Sequence, residues 1–176
     1  SIDTTAGGSA AGNNITFSGK LDATTALANA EKLTVDAGTA GNVLFTGAVG
    51  TTRLGDVTIT NANNVTESAG LIARSLTQVA GQGTTLLTGA VNTNTATGVA
   101  LTTSAITANN TITTTTGGTV TFTNAGLLTL NGDISSDGAV TQNGAGAVTI
   151  TAPRTITTTG DAVSFATDVT LNGGAA

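Results

Sequence analysis

Short β segments recur along the whole chain, and each is followed by Gly, Asn or Asp, as in NITFSG, NVLFTG, TVTFTN and DVTLNG. Apolar residues alternate with Thr inside these segments, which is typical of strands that bury one face. Residues 119–138 and 139–160 both follow the order strand, turn, strand, turn, strand, and residues 42–62 and 63–83 follow the same plan. Units of about 21 residues are too short to bury an apolar face alone, so they must stack on one another.

The element type predicts which repeat architecture this is. Helical and leucine-rich repeats need long 3.6-period stretches or an LxxLxL consensus, and the chain has neither. Three short strands per coil of about 21 residues predict an all-β, single-stranded parallel β-helix, a β-solenoid whose coils stack about 4.8 Å apart. Roughly eight coils would form a rod about 40 Å long.

Two parts of the chain depart from the repeat. Residues 1–13, which are polar and rich in Gly and Ala, are predicted to form a flexible or leading segment before the repeats of 14–176. Residues 21–33 are the one helix-like stretch, and we expect them to form an excursion that lengthens the first coil.

The phenylalanines suggest a register for the core. Each of the four occupies the same place in a strand motif (ITF, VLF, VTF, VSF), and Leu87 fills that place in TLL, so we expect one stack through the rod. The same place holds Glu67 and Gln142 in other coils, where either a corner lets the side chain escape or the coil alignment slips. The predicted core positions are Phe17, Phe45, Leu87, Phe122, Phe165, Val43, Val120, Val140, Val163, Leu130, Ile150 and Leu171.

Composition excludes several classes of function. The chain has no His and no Cys, hence no imidazole base, no thiolate nucleophile and no soft metal ligand, and we expect no catalytic site and no cofactor. Five basic residues and a net charge of −5 argue against binding to nucleic acid. No run of about 20 apolar residues is present, so we expect no insertion into a membrane. A mean hydropathy of +0.25 with abundant strand formers argues against disorder.

Several stretches resemble the tandem repeat regions of large bacterial surface exoproteins of the haemagglutinin-like and autotransporter-like type. They are VLFTGAVGTTRLGDVTITNANNVT, SLTQVAGQGTTLLTGAV and SDGAVTQNGAGAVTITAPRTITTTGDAVSF. The resemblance covers nearly the whole chain from about Asn14 onward. It implies a right-handed β-helix, export from the cell and a role as a stalk or adhesin, and it supplies no catalytic motif.

One segment begins like a calcium loop. Asp133, Ser135 and Asp137 place oxygen ligands at loop positions 1, 3 and 5, with Gly138 at position 6. Position 12 is Gly144, so the bidentate carboxylate of such loops is missing. Because Asp, Ser and Gly are also ordinary turn residues, we expect a turn here and keep calcium as the alternative.

Threonine ladders offer a different kind of surface. TITTTT (111–116) and TITTTG (155–160) place hydroxyls two residues apart on an outward face, as β-solenoid ice-binding proteins do. The spacing between such motifs along the chain is irregular, and Thr is a common residue on exposed strands.

The sequence thus predicts a non-enzymatic extracellular structural repeat protein, a filament subunit, stalk or adhesin segment, secreted or held at the cell surface. The alternative is a binding module for ice or glycan on the same scaffold. The expected partner is the protein itself, through end-to-end stacking of coils into a fibre, with surface or host glycans as further candidates. No secretory signal is visible in the opening stretch SIDTTAGGSAAGNN, so we expect that it was removed or that the chain belongs to a longer polypeptide.

Overall fold

The structure is a computed structural model that describes residues 1–6, 10–25 and 31–173. In these ranges the chain forms twenty β-strands and no helix. The strands are β1 Ile2–Asp3, β2 Ile15–Phe17, β3 Leu33–Asp36, β4 Val43–Phe45, β5 Val49–Asn61, β6 Val65–Glu67, β7 Leu71–Gln78, β8 Thr84–Leu87, β9 Val91–Thr93, β10 Val99–Thr103, β11 Ala105–Ala108, β12 Ile112–Thr114, β13 Val120–Asn124, β14 Leu128–Leu130, β15 Ile134–Ser136, β16 Val140–Gln142, β17 Val148–Thr151, β18 Ile156–Thr158, β19 Val163–Phe165 and β20 Val169–Asn172.

The strands pair in parallel with their counterparts in neighbouring coils. Leu128 pairs with Val148 and Val148 with Val169, so one coil has the length of the repeat unit seen in the sequence. Three strands make one coil, as in β13, β14 and β15 followed by β16, β17 and β18. The predicted all-β fold of stacked parallel coils, a β-solenoid, is therefore confirmed.

The coil has three faces. One is the eight-stranded sheet β2-β4-β6-β8-β11-β14-β17-β20. The other two belong to a twelve-stranded sheet and are joined where the long strands β5 and β7 run round a corner. In the later coils the two faces are made of separate strands. One face consists of β9, β12, β15 and β18, and the other of β10, β13, β16 and β19.

The first coil is longer than the next. Asn14 and Asn42, which precede β2 and β4, are 28 positions apart, whereas Asn42 and Asn64, which precede β4 and β6, are 22 apart. Both described sides of the excursion bond to β5, through Ala23 N to Thr52 O and through Gly55 N to Glu31 O. Residues 26–30, the centre of the predicted helix-like stretch, lie outside the described residues.

The beginning of the chain takes part in this first coil. Ile2 and Asp3 pair with Val35 and Asp36, and Thr39 N donates to the carbonyl oxygen of Ala10. The described residues of the predicted leading segment thus include a strand that lies beneath β3.

The alternation of buried and exposed residues places one continuous apolar core between the three faces. Ten of the predicted core residues are at most 9 % exposed or pack against the buried cluster. The buried ones are Phe45, Leu87, Phe122, Val43, Val120, Val140, Leu130 and Ile150. Phe17 packs against the cluster from the first coil and Phe165 from the last described coil.

Two predicted core residues are exposed, which corrects that prediction. Val163 is 43 % and Leu171 is 71 % exposed. Both continue inward columns, since Val163 pairs with Val140 and Leu171 with Ile150. Their exposure arises because no strand in the described residues lies on the far side of β19 or β20.

The phenylalanines form two columns rather than one stack, so the single stack is wrong. Phe17 and Phe45 lie in the eight-stranded sheet, with ring centroids 5.0 Å apart and planes 5° from parallel. Phe122 and Phe165 lie in the twelve-stranded sheet, separated by Gln142. The motif alignment failed because the three strands of one coil share the same local pattern, so strands on different faces were superimposed.

Glu67 and Gln142 are buried and pair in register with their neighbours in the adjacent coils. Neither side chain leaves the core at a corner, and the pairing of the coils does not slip at either position. Glu67 is 1 % exposed between Phe45 and Leu87, and its carboxylate accepts the N–H groups of Ala69, Gly70 and Gly89. These donors come from the corners of two successive coils. A buried carboxylate is tolerated here because backbone donors replace water.

The buried side chain of Gln142 also has hydrogen-bond partners, but it acts mainly as a donor, whereas Glu67 only accepts. Its Nε2 donates to Asn124 Oδ1 (2.9 Å) and to Gly144 O (2.7 Å), and its Oε1 accepts the N–H of Ala166. Asn124 Nδ2 in turn donates to Gly126 O. Buried side-chain amides therefore complete the backbone hydrogen bonding of a corner in three successive coils.

An asparagine ladder fixes one corner of the first coils. Asn14 Oδ1 accepts the backbone N–H and the side-chain amide of Asn42, and Asn42 Oδ1 accepts the same two donors of Asn64. Asn64 Oδ1 then accepts the N–H of Thr84. Each asparagine immediately precedes a strand of the eight-stranded sheet, so the ladder holds successive strands in register.

Candidate binding face

The strands β12, β15 and β18 carry a regular array of polar side chains on their outward face. Ile112 pairs with Ile134 and Ile134 with Ile156, so these inward residues define the register of the three strands. On each strand, the residue before the inward isoleucine, the residue after it and the residue two positions further on point outward. The array consists of Thr111, Thr113, Thr115, Asp133, Ser135, Asp137, Thr155, Thr157 and Thr159.

The geometry of the array follows from the coil. Neighbouring rows lie about 4.8 Å apart, and side chains two residues apart along a strand lie roughly 6.7 Å apart. A shallow depression of about 300 Å³ lies among Thr113, Ser135 and Asp137. The array thus presents hydroxyl and carboxylate groups in a near-rectangular arrangement on one face of the rod.

Sequence reasoning identified the residues of the array without relating its rows. Thr155 follows Asp133, and Thr159 follows Asp137, at the same offset of 22 positions. That offset is present in the sequence, but DISSDG shares only its Ile with TITTTT and only its Ile and Gly with TITTTG, so the middle row was not recognised.

Asp137 connects the three rows. Its Oδ2 accepts the N–H of Gly117 (2.7 Å) and its Oδ1 accepts the hydroxyl of Thr159 (2.9 Å). The Gly117 N–H, and after it the Thr159 hydroxyl, holds the pKa of Asp137 below its usual value, because both stabilise the ionised form. Thr116 and Gly117 form a turn with positive φ (61° and 71°), an unfavourable conformation for a β-branched residue, and the bond from Gly117 fastens that turn.

The calcium alternative does not fit this geometry. Asp133 and Asp137 stand at opposite ends of β15, about 13 Å apart along an extended strand. Calcium ligands lie about 2.3–2.6 Å from the ion, so two ligand oxygens of one ion are at most about 5 Å apart. Asp133 Oδ1 instead accepts the N–H of Thr155, and Ser135 lies exposed between the two acids. Within the described ranges no group of three or more acidic residues could hold a metal ion.

A larger groove runs across several coils beside β10, β13 and β16. It has a volume of about 640 Å³, and its walls include Gly81, Thr102, Thr123 and Gly144. The buried amides behind it are already used by carbonyl groups of the corners. The groove therefore offers small side chains and backbone atoms to a ligand.

Oppositely charged side chains pair at and beside the excursion, away from the array. Lys20 bonds to Asp22 (2.9 Å) and Lys32 to Asp56 (2.7 Å). The Lys20 ammonium holds the pKa of Asp22 well below its usual range, and the Lys32 ammonium lowers that of Asp56. Arg53 lies at a bulge of β5, and its Nη1 donates to Ala73 O (2.6 Å) and to Asn92 O (3.2 Å), which joins three successive coils.

Comparison with known proteins adds no assignment. No protein-family model matches the chain, and neither curated proteins nor solved structures give a match. In the described residues no helix is long and apolar enough to span a membrane. The structure is that of a β-helix built from repeats. The resemblance to bacterial surface exoproteins rests on the sequence motifs alone.

Proposed function

We propose that the chain is a non-enzymatic structural segment of an extracellular protein, a stiff stalk, filament subunit or adhesin segment at a bacterial surface. The observation that carries this proposal is the unbroken stacking of parallel coils. Each coil is held on the next by backbone pairing, by an apolar core and by side-chain ladders. Such construction favours length and stiffness over an enclosed catalytic cavity.

Composition supports the same function. The outward positions are filled by Thr, Ser and Asn with few charges, and the chain has no His or Cys for acid-base or nucleophilic catalysis. Export agrees with the absence of Cys and with the resemblance to surface exoproteins.

Two measurements test the proposal. Small-angle scattering of the isolated chain should give an elongated particle about 40 Å long, since eight strands stack about 4.8 Å apart. Antibodies raised against the chain should label intact cells that carry the native protein, and external protease should remove the label. Antigen that stays inside protease-treated cells would overturn the extracellular role.

The polar array on β12, β15 and β18 favours a second candidate, a binding face for ice or glycan. Its rows are regularly spaced, and seven of its nine side chains bear hydroxyl groups. Thermal hysteresis and a glycan array distinguish the two ligands. Thr113→Lys should abolish either activity, whereas Thr121→Lys, on another outward face, should leave it unchanged. An activity that survives Thr113→Lys would rule out the array as its site.

A further inference from the structure

Three asparagines of the chain are followed directly by glycine, in the pairs Asn131–Gly132, Asn143–Gly144 and Asn172–Gly173. In such a pair the side-chain amide reacts readily with the next backbone nitrogen, because glycine has no side chain and restricts the backbone least. The third pair lies beside residues that the structure does not describe, so the structure allows a comparison of the first two.

The side chain of Asn131 is held by hydrogen bonds at both of its polar atoms. Its Nδ2 donates to Asn109 Oδ1 (2.8 Å), and its Oδ1 accepts the hydroxyl of Thr151 (2.6 Å). One partner belongs to the preceding coil and the other to the following coil. Both bonds must break before the side-chain Cγ can turn toward Gly132 N, so this fold protects the amide.

The side chain of Asn143 is not held in this way. It is exposed, and neither of its polar atoms has a hydrogen-bond partner among the described residues. The backbone does not distinguish the two pairs. Gly132 and Gly144 both lie against a carbonyl oxygen of the preceding coil, that of Asn110 and of Asn124 respectively. The N–H of neither glycine donates to an acceptor in the described part of the chain.

We propose that Asn143 is a site of spontaneous deamidation, whereas Asn131 is protected. Gly144 N attacks Asn143 Cγ and loses its proton, the bond from Cγ to Nδ2 breaks, and the side-chain nitrogen takes up that proton and leaves as ammonia. The product is a cyclic succinimide. Water then opens the ring at one of its two carbonyl carbons. Opening at Cγ gives aspartate, and opening at the backbone carbonyl carbon gives isoaspartate, in which the chain continues through Cγ.

Either product changes the groove beside β10, β13 and β16, because Asn143 lies in its wall. None of the residues that line this groove is charged. Deamidation would therefore place a carboxylate in an otherwise uncharged groove. This inference does not depend on the proposed function, since it rests on the hydrogen bonds of two asparagines.

Isoaspartate also changes the path of the backbone, because it adds one carbon atom to the chain just before Gly144. Gln142 Nε2 donates to Gly144 O (2.7 Å) and to Asn124 Oδ1 (2.9 Å). The extra atom displaces Gly144 from the first of these bonds. The isoaspartate form should therefore melt at a lower temperature than the variant Asn143→Asp, which gains the same charge without the extra backbone atom.

Incubation of the full 176-residue chain at neutral and mildly alkaline pH, followed by peptide mass spectrometry, tests the proposal. Cleavage before aspartate gives a peptide of residues 137–160, in which Asn143 is the single asparagine. Asn143 should be converted about tenfold faster than Asn131, because the latter must first break two hydrogen bonds. Alkaline pH should speed the reaction, since the attacking nitrogen must lose its proton. In urea both asparagines should react at similar rates, which would assign the difference to the fold.

A double variant tests the cause of the protection. Asn109→Ala with Thr151→Val removes both partners of Asn131 and leaves its pair with glycine intact. Asn131 should then react about tenfold faster than in the unmodified chain, while the rate at Asn143 stays the same. Circular dichroism checks that the variant keeps its β structure, and if it does not fold, the comparison of folded and urea-unfolded chain still decides.

The proposal is overturned if the folded chain converts Asn131 as fast as Asn143 or faster. It is also overturned if Asn143 stays intact in the folded chain while it reacts in urea. A folded double variant in which Asn131 reacts no faster than before would show that the two hydrogen bonds do not protect it.

Discussion

At the scale of single residues, Phe122 shows how much the core depends on one ring. It is fully buried between Leu101 and Gln142 in its column. Phe122→Ala should lower the free energy of unfolding by about 3–5 kcal/mol, because a close-packed solenoid cannot collapse into the cavity. Urea unfolding followed by circular dichroism measures this. Val79→Ala, at a position 55 % exposed, should change stability by less than about 0.5 kcal/mol. A loss below about 1 kcal/mol for Phe122→Ala would contradict its burial.

Replacing Glu67 with an apolar residue has two opposing effects on the free energy of unfolding. Replacing a buried charge with an apolar side chain is often stabilising, but here three backbone N–H groups would lose their acceptor. We expect the second effect to dominate, so Glu67→Leu should lower the free energy of unfolding by about 3 kcal/mol or more. Urea unfolding measures this loss, and Glu67→Gln, which keeps one carbonyl oxygen, should lose less. A Glu67→Leu variant that is more stable than the unmodified chain would show that desolvation dominates.

At the scale of elements, the asparagine ladder determines how one strand is set on the next. Asn42→Ala removes the middle rung, which both donates to Asn14 and accepts from Asn64. The free energy of unfolding should fall by about 1–2 kcal/mol. Asn143→Ala is the matched control, since that side chain is exposed. Equal losses in chemical unfolding of the two variants would show that the ladder adds nothing beyond the backbone.

The strands themselves were predictable from the sequence, because alternation of apolar residues and Thr is a local signal. The assignment of a strand to a face was not, and Phe45 and Phe122 show why. VLF and VTF have the same pattern, although one belongs to the eight-stranded sheet and the other to the twelve-stranded sheet. The hydrogen-bond partners of Glu67 could not be foreseen either, since its three donors are backbone groups brought together only by the corners. The rows of the outward array are separated by a constant number of residues in the sequence. This spacing could be recognised only once the rows were known to lie on one face.

At the scale of the whole molecule, acid should weaken the fold. The pKa values of Asp22, Glu31, Asp56 and Asp137 are all lowered in the folded chain, chiefly by hydrogen bonds from Lys20, Thr24, Lys32 and Gly117 respectively. A lowered pKa contributes stability that is present above the unfolded value, near 4, and is lost as the pH falls through the folded value. The melting temperature should therefore be level from about pH 5 to 8 and fall below about pH 4.

Thermal scans by circular dichroism at a series of pH values measure this dependence. Asp137→Asn should flatten the acid limb in part, because one of the four groups no longer titrates. A melting temperature that rises on acidification would contradict the sign.

The stacking of coils has a mechanical consequence. Among the described residues the backbone of each coil pairs only with the coils directly above and below it, so a force that draws the two ends of the rod apart loads the outermost coil first. That coil would detach as a unit and release about 70 Å of extended chain, since about 21 residues extend by roughly 3.4 Å each. The next coil would then bear the load. Under tension the molecule would lengthen in equal steps and dissipate work at each, while the rest of the rod remained folded.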